Sequence, residues 1–442
     1  MNTKWRCPFS LGLIVFVLFA IDARAQDFYQ TATSAESLAH GGVYIPSSTS
    51  VLDALAANPA GLTAIGGRTL DASVSTVFAR GSFVNSVNTD GTIKSFAGVL
   101  PYGAFGTPIG HSRFSIGLGV MPEMMMSADW TYVDAPGAAG ATYGLQQNKS
   151  AILGARSAAG LGINFGPRFS LGFTVGAVYN TNTLQAPYIF QTNPVLAGAK
   201  TLLDLHTNGI GWNGSVGVLA RPTPRVQIGL SYKSRTTVDS HGTATGNAGV
   251  QFAALGLGGA RPDFAYNAEV QNMFPQSMLA SVAWQARSTW QLALQSGWID
   301  WKRAFVALPV TLTNGNNADI NGLLGSNSLS DTVPLHWKDQ FTFRAGVVHS
   351  LGENLSWSGG FAHSTNPVPS ATLTPMTAAI TGNQLSTGLS YGVGPYRFNF
   401  AYSLGLTAQE NVTTSSLLAG EYNNSQVRVG TQALTFGTQI RF

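Results

Sequence analysis

The sequence is poor in charge and almost without cysteine. Asp, Glu, Lys and Arg make up 10% of its 442 residues, against about 25% in a soluble globular chain. The single cysteine, Cys7, precedes the apolar run at 11–20, so it is not a lipoprotein cysteine. Beyond it there is no thiol, which excludes a disulfide-stapled scaffold and a Cys-ligated metal site. No later run approaches the roughly 18 apolar residues of a membrane-spanning helix. Catalytic signatures are missing too. Lys149-Ser150 lacks the glycines of a phosphate-binding loop, and Asn213-Gly214-Ser215-Val216-Gly217 lacks the first glycine of a nucleophile elbow. The histidines, His40, His111, His206, His241, His336, His349 and His363, show no metal-ligand spacing. No catalytic residue, metal or cofactor is therefore expected.

What is present is a secretory address and a great deal of glycine. Lys4 and Arg6 precede the apolar run, and Ala23-Arg24-Ala25 supplies a small-x-small cleavage site. Residues 1–25 read as a signal peptide, with the mature chain starting at Gln26. Its removal takes away Lys4, Arg6, Arg24 and Asp22 and lowers the formal charge from +4 to +2, so nothing points to nucleic acid. The hydrophobic fraction is an ordinary 44%, and polarity comes from Ser, Thr, Asn, Gln and 51 glycines. A secreted chain with few charges and no apolar helix fits a transmembrane β-barrel, whose outer face must be uncharged.

Residues 69–442 alternate apolar and polar in strand-length runs. Tyr396, Phe398, Phe400, Tyr402 and Leu404 share one face, and Arg397, Asn399, Ala401 and Ser403 the other. The pattern predicts strands at 69–80, 94–106, 113–125, 150–164, 168–184, 206–221, 224–239, 266–286, 289–305, 338–351, 354–363, 382–394, 396–409 and 425–442. Short joins alternate with long ones, as in outer-membrane barrels with short periplasmic turns and longer extracellular loops. A soluble sandwich also alternates, so parity alone leaves that reading open. Trp290 and Trp298 share a face about 26 Å apart along the strand, a spacing suited to two aromatic girdles, or to a sandwich core. The fold class expected is all-β: an antiparallel transmembrane β-barrel of about 14 strands. Such a barrel has a lumen too wide for its side chains to fill, and the unpatterned segment 26–68 reads as a hatch inside it.

Within that segment, Ala57-Asn58-Pro59-Ala60-Gly61-Leu62 forms a tight turn. Asn58, Pro59 and Ala60 resemble the hatch motif of the FadL-type outer-membrane transporters of long-chain fatty acids and other hydrophobic compounds. The resemblance extends through Gly211-Trp212-Asn213-Gly214, Phe274-Pro275, Trp298-Ile299-Asp300-Trp301, Trp337-Lys338-Asp339, Arg344-Ala345-Gly346 and Asn366-Pro367-Val368-Pro369. The C-terminal Phe442, on a face with Phe436 and Ile440, resembles the signal read by the barrel assembly machinery.

The resemblance implies passive uptake of a hydrophobic small molecule, a fatty acid or a hydrocarbon, with lateral exit through the barrel wall. It places capture in the long loops, here 121–149 and 185–205. The first holds Met124, Met125, Met126 and Trp130, adaptable apolar side chains that have an alternative role in packing against the barrel rim. It implies a cation for a carboxylate at Lys338, with Arg156 on the lumen-facing parity a further candidate; either is also readable as a solvated lumen charge. The family's arginine near the end of the fifth strand is replaced by Asn180 and Asn182, which leaves room for neutral ligands. It implies a kink in the third strand, where Gly117, Gly119 and Pro122 lie, although Pro122 is also a plausible strand end. The address is the outer membrane of a Gram-negative bacterium, with outer-membrane lipid and lipopolysaccharide as surroundings and a monomer as the assembly. The other classes open are a general porin, a structural or adhesive barrel, and an outer-membrane lipase-type enzyme.

Overall fold

The computed structural model describes residues 34–46 and 48–442. The expected signal peptide with Cys7, and the first part of the expected hatch, 26–33, lie outside the described residues.

Fourteen antiparallel strands close on themselves. In chain order they are Thr69–Val84; Gly91–Ile93 with Phe96–Pro108; Phe114–Asp134; Gly144–Asn164; Phe169–Ile189; Lys200–Thr223; and Val226–Lys233 with Thr236–Asn247. There follow Asp263–Phe274 with Ser277–Arg287; Trp290–Ile299 with Ala307–Thr313; Leu329–Pro334 with Gln340–Ser350; Leu355–Ser364; Asn383–Val393; Tyr396–Val412; and Ser425–Arg441. The first and last strands pair from Thr69↔Arg441 to Val84↔Gln426, which closes the sheet into a barrel.

The two faces decide between sandwich and barrel. On the thirteenth strand Tyr396, Phe398 and Phe400 are exposed, while Asn399, Ala401 and Ser403 are buried. Apolar-out and polar-in is the inverse of a soluble core and suits a wall in lipid. Trp290 and Trp298 stand on the outward parity of the ninth strand, so they are not core tryptophans of a sandwich.

The strands run further toward the long-loop end than period-2 alternation predicts. The segment 121–149 is not a loop: the third strand continues to Asp134, the fourth begins at Gly144, and only 135–143 connects them. Likewise 185–205 shrinks to 190–199. The alternation disappears along the third strand because its two faces are both covered there. Glu123, Met124 and Met125 are buried in succession, and so are residues 127–130. The ninth strand stops at Ile299 and turns through the helix Trp301–Ala304 before resuming at Ala307.

Inside the barrel lie two short helices, Ala35–Ala39 and Val51–Ala56, and a 3-10 turn, Pro59–Ala64. Each begins at a capping side chain: Ser34, Ser50 and Asn58 accept from Ser37, Asp53 and Ala60 N–H respectively. Pro59 occupies the first position of its turn, where its missing N–H costs nothing. Helices this short do not persist alone, and side chains of the hatch and wall hold them. Asp53 accepts from Ser34 N–H (3.0 Å), Ser34 Oγ (2.6 Å) and Ser37 Oγ (2.9 Å), tying the two helices together. Val51, Leu52, Leu55, Leu62 and Ile65 pack on Tyr102, Ala104, Met121 and Ala158 of the wall.

Candidate functional site

The seat of the hatch is built from the wall inward. Asn58 Nδ2 donates to Val218 O (3.1 Å) and Leu230 O (3.2 Å), carbonyls of the sixth and seventh strands. Two glycines make this approach feasible: a Cβ on Gly172 would collide with the Pro59 backbone, and one on Gly217 with Asn58 Oδ1. The expected hatch residues Asn58, Pro59 and Ala60 thus meet at one wall contact.

Beside the hatch the wall is interrupted. The second and third strands pair from Gly103↔Val120 to Pro108↔Ser115 and again at Thr92↔Thr131 and Ile93↔Trp130. Between these stretches 94–102 and 121–129 form no ladder among the described residues, and one bond, Lys94 N–H to Asp129 O at 2.8 Å, closes the upper edge. On its other side the third strand stays paired to the fourth, with a bulge between Pro122 and Met124. Pro122 does not end the strand. It offers no N–H to a ladder, and Glu123 is the extra residue that bends the strand inward. Gly117 and Gly119 lie below the bend, in the paired part, where they leave room for Leu55 and Leu62 of the hatch.

A chain of polar contacts links the bend to the hatch. The Glu123 carboxylate accepts from Lys233 Nζ (2.7 Å) and Asn213 Nδ2 (3.1 Å). Asn213 Oδ1 accepts from Arg156 Nε (2.7 Å). Arg156 also donates to Thr174 Oγ1 (2.7 Å) and to Leu55 O (3.0 Å) of the second hatch helix. Arg156 is fully buried, so it is an anchor for the hatch and not a solvated lumen charge.

On the long-loop side of the hatch lies a cavity of ≈ 180 Å³. Its wall includes Met126, Ile152, Leu184, Leu308, Leu335 and the aromatic pair Phe305 and Trp337, whose rings stand 4.8 Å apart. Trp301 backs that pair, with its Nε1 donating to Gln340 Oε1 (3.1 Å). A second cavity of ≈ 120 Å³ shares Leu184, Tyr188, Leu205, Leu308, Val310 and Val333 with the first. An apolar cavity of about 150 Å³ accommodates benzene, so the larger one has room for a single substituted ring. Among the residues lining it there is no Lys, Arg or His, and Glu421 is the one acid.

The sequence-predicted binding residues are scattered by this geometry. Met126 lines the larger cavity. Met124 and Trp130 lie deep in the apolar cluster behind it, with Phe274, Trp301 and Trp337, and Met125 packs on Val77. All four are on a strand and not on a free loop. Lys338 is exposed and does not line the cavity; its backbone N–H donates to Pro367 O (2.8 Å). Asn182 does line it, and with Asn180 it forms a neutral knot: Asn180 Oδ1 accepts from Ser240 Oγ (2.8 Å) and Asn272 Nδ2 (2.8 Å). Sequence reasoning passes over Phe305, Leu335, Lys200 and Glu421. The signal for the last two is their charge, in loop or strand-end positions of a chain that has little. Among the described residues no group of three His, Cys, Asp or Glu could hold a metal.

Comparison with protein families matches residues 16–442 to the family described as Outer membrane protein transport protein (OMPP1/FadL/TodX). Among curated proteins none matches. Of the solved structures, the Ralstonia pickettii toluene transporter TbuX is 19% identical, with 93% of this chain and 99% of that one covered and a TM-score of 0.72. The Pseudomonas putida toluene transporter TodX is 18% identical over 95% and 100% of the two chains, with a TM-score of 0.74. A Pseudomonas aeruginosa FadL homologue is 16% identical over 94% and 99%, also at 0.74.

Proposed function

This chain belongs to the outer membrane protein transport family OMPP1/FadL/TodX, and on that premise we propose that it admits hydrophobic molecules across the outer membrane by passive diffusion. The observation that carries the reading is the apolar cavity of ≈ 180 Å³ with Met126 in its wall, since Met126 also belongs to the stretch of the third strand that leaves the ladder. A molecule captured at the long-loop end partitions into the cavity because burial of apolar surface is favourable. The hatch, built on Asn58, Pro59 and Ala60, bars the axial route. The molecule leaves sideways, between the second and third strands, into the outer-membrane lipid. No step requires an energy source. Residues 1–25 act as the export signal, 26–68 as the hatch and 69–442 as a monomeric barrel surrounded by lipid and lipopolysaccharide.

Toluene is the natural probe, given the size of the cavity. Deleting Glu123 removes the bulge against the fourth strand and shifts by one the upper part of the third strand against the second. Toluene uptake by cells should then fall to the level of cells lacking the protein, while toluene binding to the purified barrel persists. Unchanged uptake would show that the break in the wall is not the exit. A general porin would instead conduct ions steadily in a planar bilayer, whereas the plugged barrel should not.

A further inference from the structure

Three charged side chains from distant parts of the chain meet at the rim of the cavity. Lys200 Nζ, fully buried at the start of the sixth strand, lies 2.7 Å from Asp134 Oδ1 at the end of the third. It also donates to Ala135 O at 2.6 Å. Its third neighbour is Glu421 Oε2, from the loop between the last two strands, at 3.7 Å. One ammonium therefore faces two carboxyl groups, and the shorter contact belongs to Asp134. Glu421 has the longer contact with the ammonium, shares a hydrogen bond with Asp134 and one with the Ala135 backbone, and is the carboxyl group that lines the cavity.

We propose that Glu421 is a specificity-determining residue: its carboxyl group in the wall of the cavity discriminates against ligands with an anionic head group and favours neutral ones. The proposal rests on the reading of this cavity as the ligand site. No Lys, Arg or His lines the larger cavity, and the nearest ammonium, Lys200, lies 3.7 Å from Glu421 but only 2.7 Å from Asp134. Lys338 does not line the cavity. An incoming carboxylate or sulfonate would be desolvated beside Glu421 without a cation to receive it, and like-charge juxtaposition of that kind is strongly unfavourable.

The protonation of Glu421 gives the selectivity a pH dependence. Burial pushes its carboxyl up to about 7, Lys200 pulls it down, and Asp134 pushes it up. The other groups that face it are the phenols of Tyr132 and Tyr422, whose hydroxyls stand 3.5 Å apart; phenols ordinarily titrate well above this range. A raised carboxyl is protonated below about 7, so the wall is uncharged at acid pH and negative at alkaline pH. Anion binding should strengthen as the pH falls, with a proton taken up.

The test uses two ligands of one-ring size, benzyl alcohol and benzenesulfonate, because the sulfonate stays ionised throughout. Binding to the purified full barrel is measured from about pH 8.5 to about pH 5.5. At the alkaline end the alcohol should bind more tightly by about tenfold or more, a low figure for like-charge repulsion. That ratio should shrink on acidification, and Glu421→Gln should shrink it at alkaline pH and flatten its pH dependence. A ratio unchanged in Glu421→Gln, or a flat pH profile in the unmodified protein, overturns the proposal. If the variant does not assemble, the profile of the unmodified protein decides alone. Failure of benzyl alcohol to bind at all would refute the cavity as the ligand site and the proposal with it; loss of selectivity alone would leave alcohol binding intact.

Discussion

Arg156 shows what a single charge does inside this lumen. Its guanidinium donates to Asn213, Thr174 and Leu55, and hydrogen bonds to charged groups contribute about 1.5–3 kcal/mol each. Only the bond to Leu55 O reaches the hatch, yet it holds the end of the helix Val51–Ala56. Arg156→Met should keep the barrel assembled, loosen the hatch and produce flickering ion conductance in planar bilayers. A pore as silent as the unmodified one would mean that the apolar packing of Leu55 and Leu62 holds the hatch unaided. Lumen parity was legible for Arg156 from period 2 alone. Its partners were not, because they come from the hatch and from the fifth and sixth strands, and no local pattern encodes their meeting.

Among the elements, the hatch and the third strand depart most from regular structure. The hatch has three capped turns, each too short to stand alone, and it persists because its caps and leucines find partners on the wall. Removing residues 26–66 should leave a barrel that folds, since the strands close through Thr69↔Arg441 without it. Permeability to small polar solutes should rise, as measured by antibiotic entry or liposome swelling. Unchanged permeability would mean that the lumen is blocked by other parts of the chain. The third strand was legible only up to its bend. Beyond Pro122 it carries Glu123, three methionines and Trp130 in a run without alternation, and a strand buried on both faces has none to show.

At the scale of the whole molecule the barrel presents aromatic and aliphatic side chains to lipid, Phe436 and Phe442 among them. Phe442 closes the circuit: its backbone N–H donates to Arg68 O (2.9 Å), next to the first strand. Phe442→Ala removes the exposed terminal ring and leaves that backbone bond in place. The heat-modifiable, folded form in the outer membrane should decrease, read by gel shift of unheated samples. Normal amounts at high expression would show that assembly does not read this residue.

The wall is legible in the amino-acid sequence alone. A strand in a membrane must put apolar groups outward and may place polar ones inward, a local rule with period 2. That rule, with alternating short and long joins, is enough to count fourteen strands and to assign their faces. The contents of the lumen follow from how the closed barrel brings distant residues together. Lys200, Asp134 and Glu421 meet because closure brings distant strand ends and a loop together. The break beside the third strand lies level with the bulge that strand makes against the fourth, a coincidence of two strand pairings. Lys338 adjoins the buried Trp337 in sequence, yet it is exposed and does not line the cavity, because 335–339 form an irregular turn with His336 at positive φ. Such contacts depend on register and closure over hundreds of residues, which no window of sequence contains.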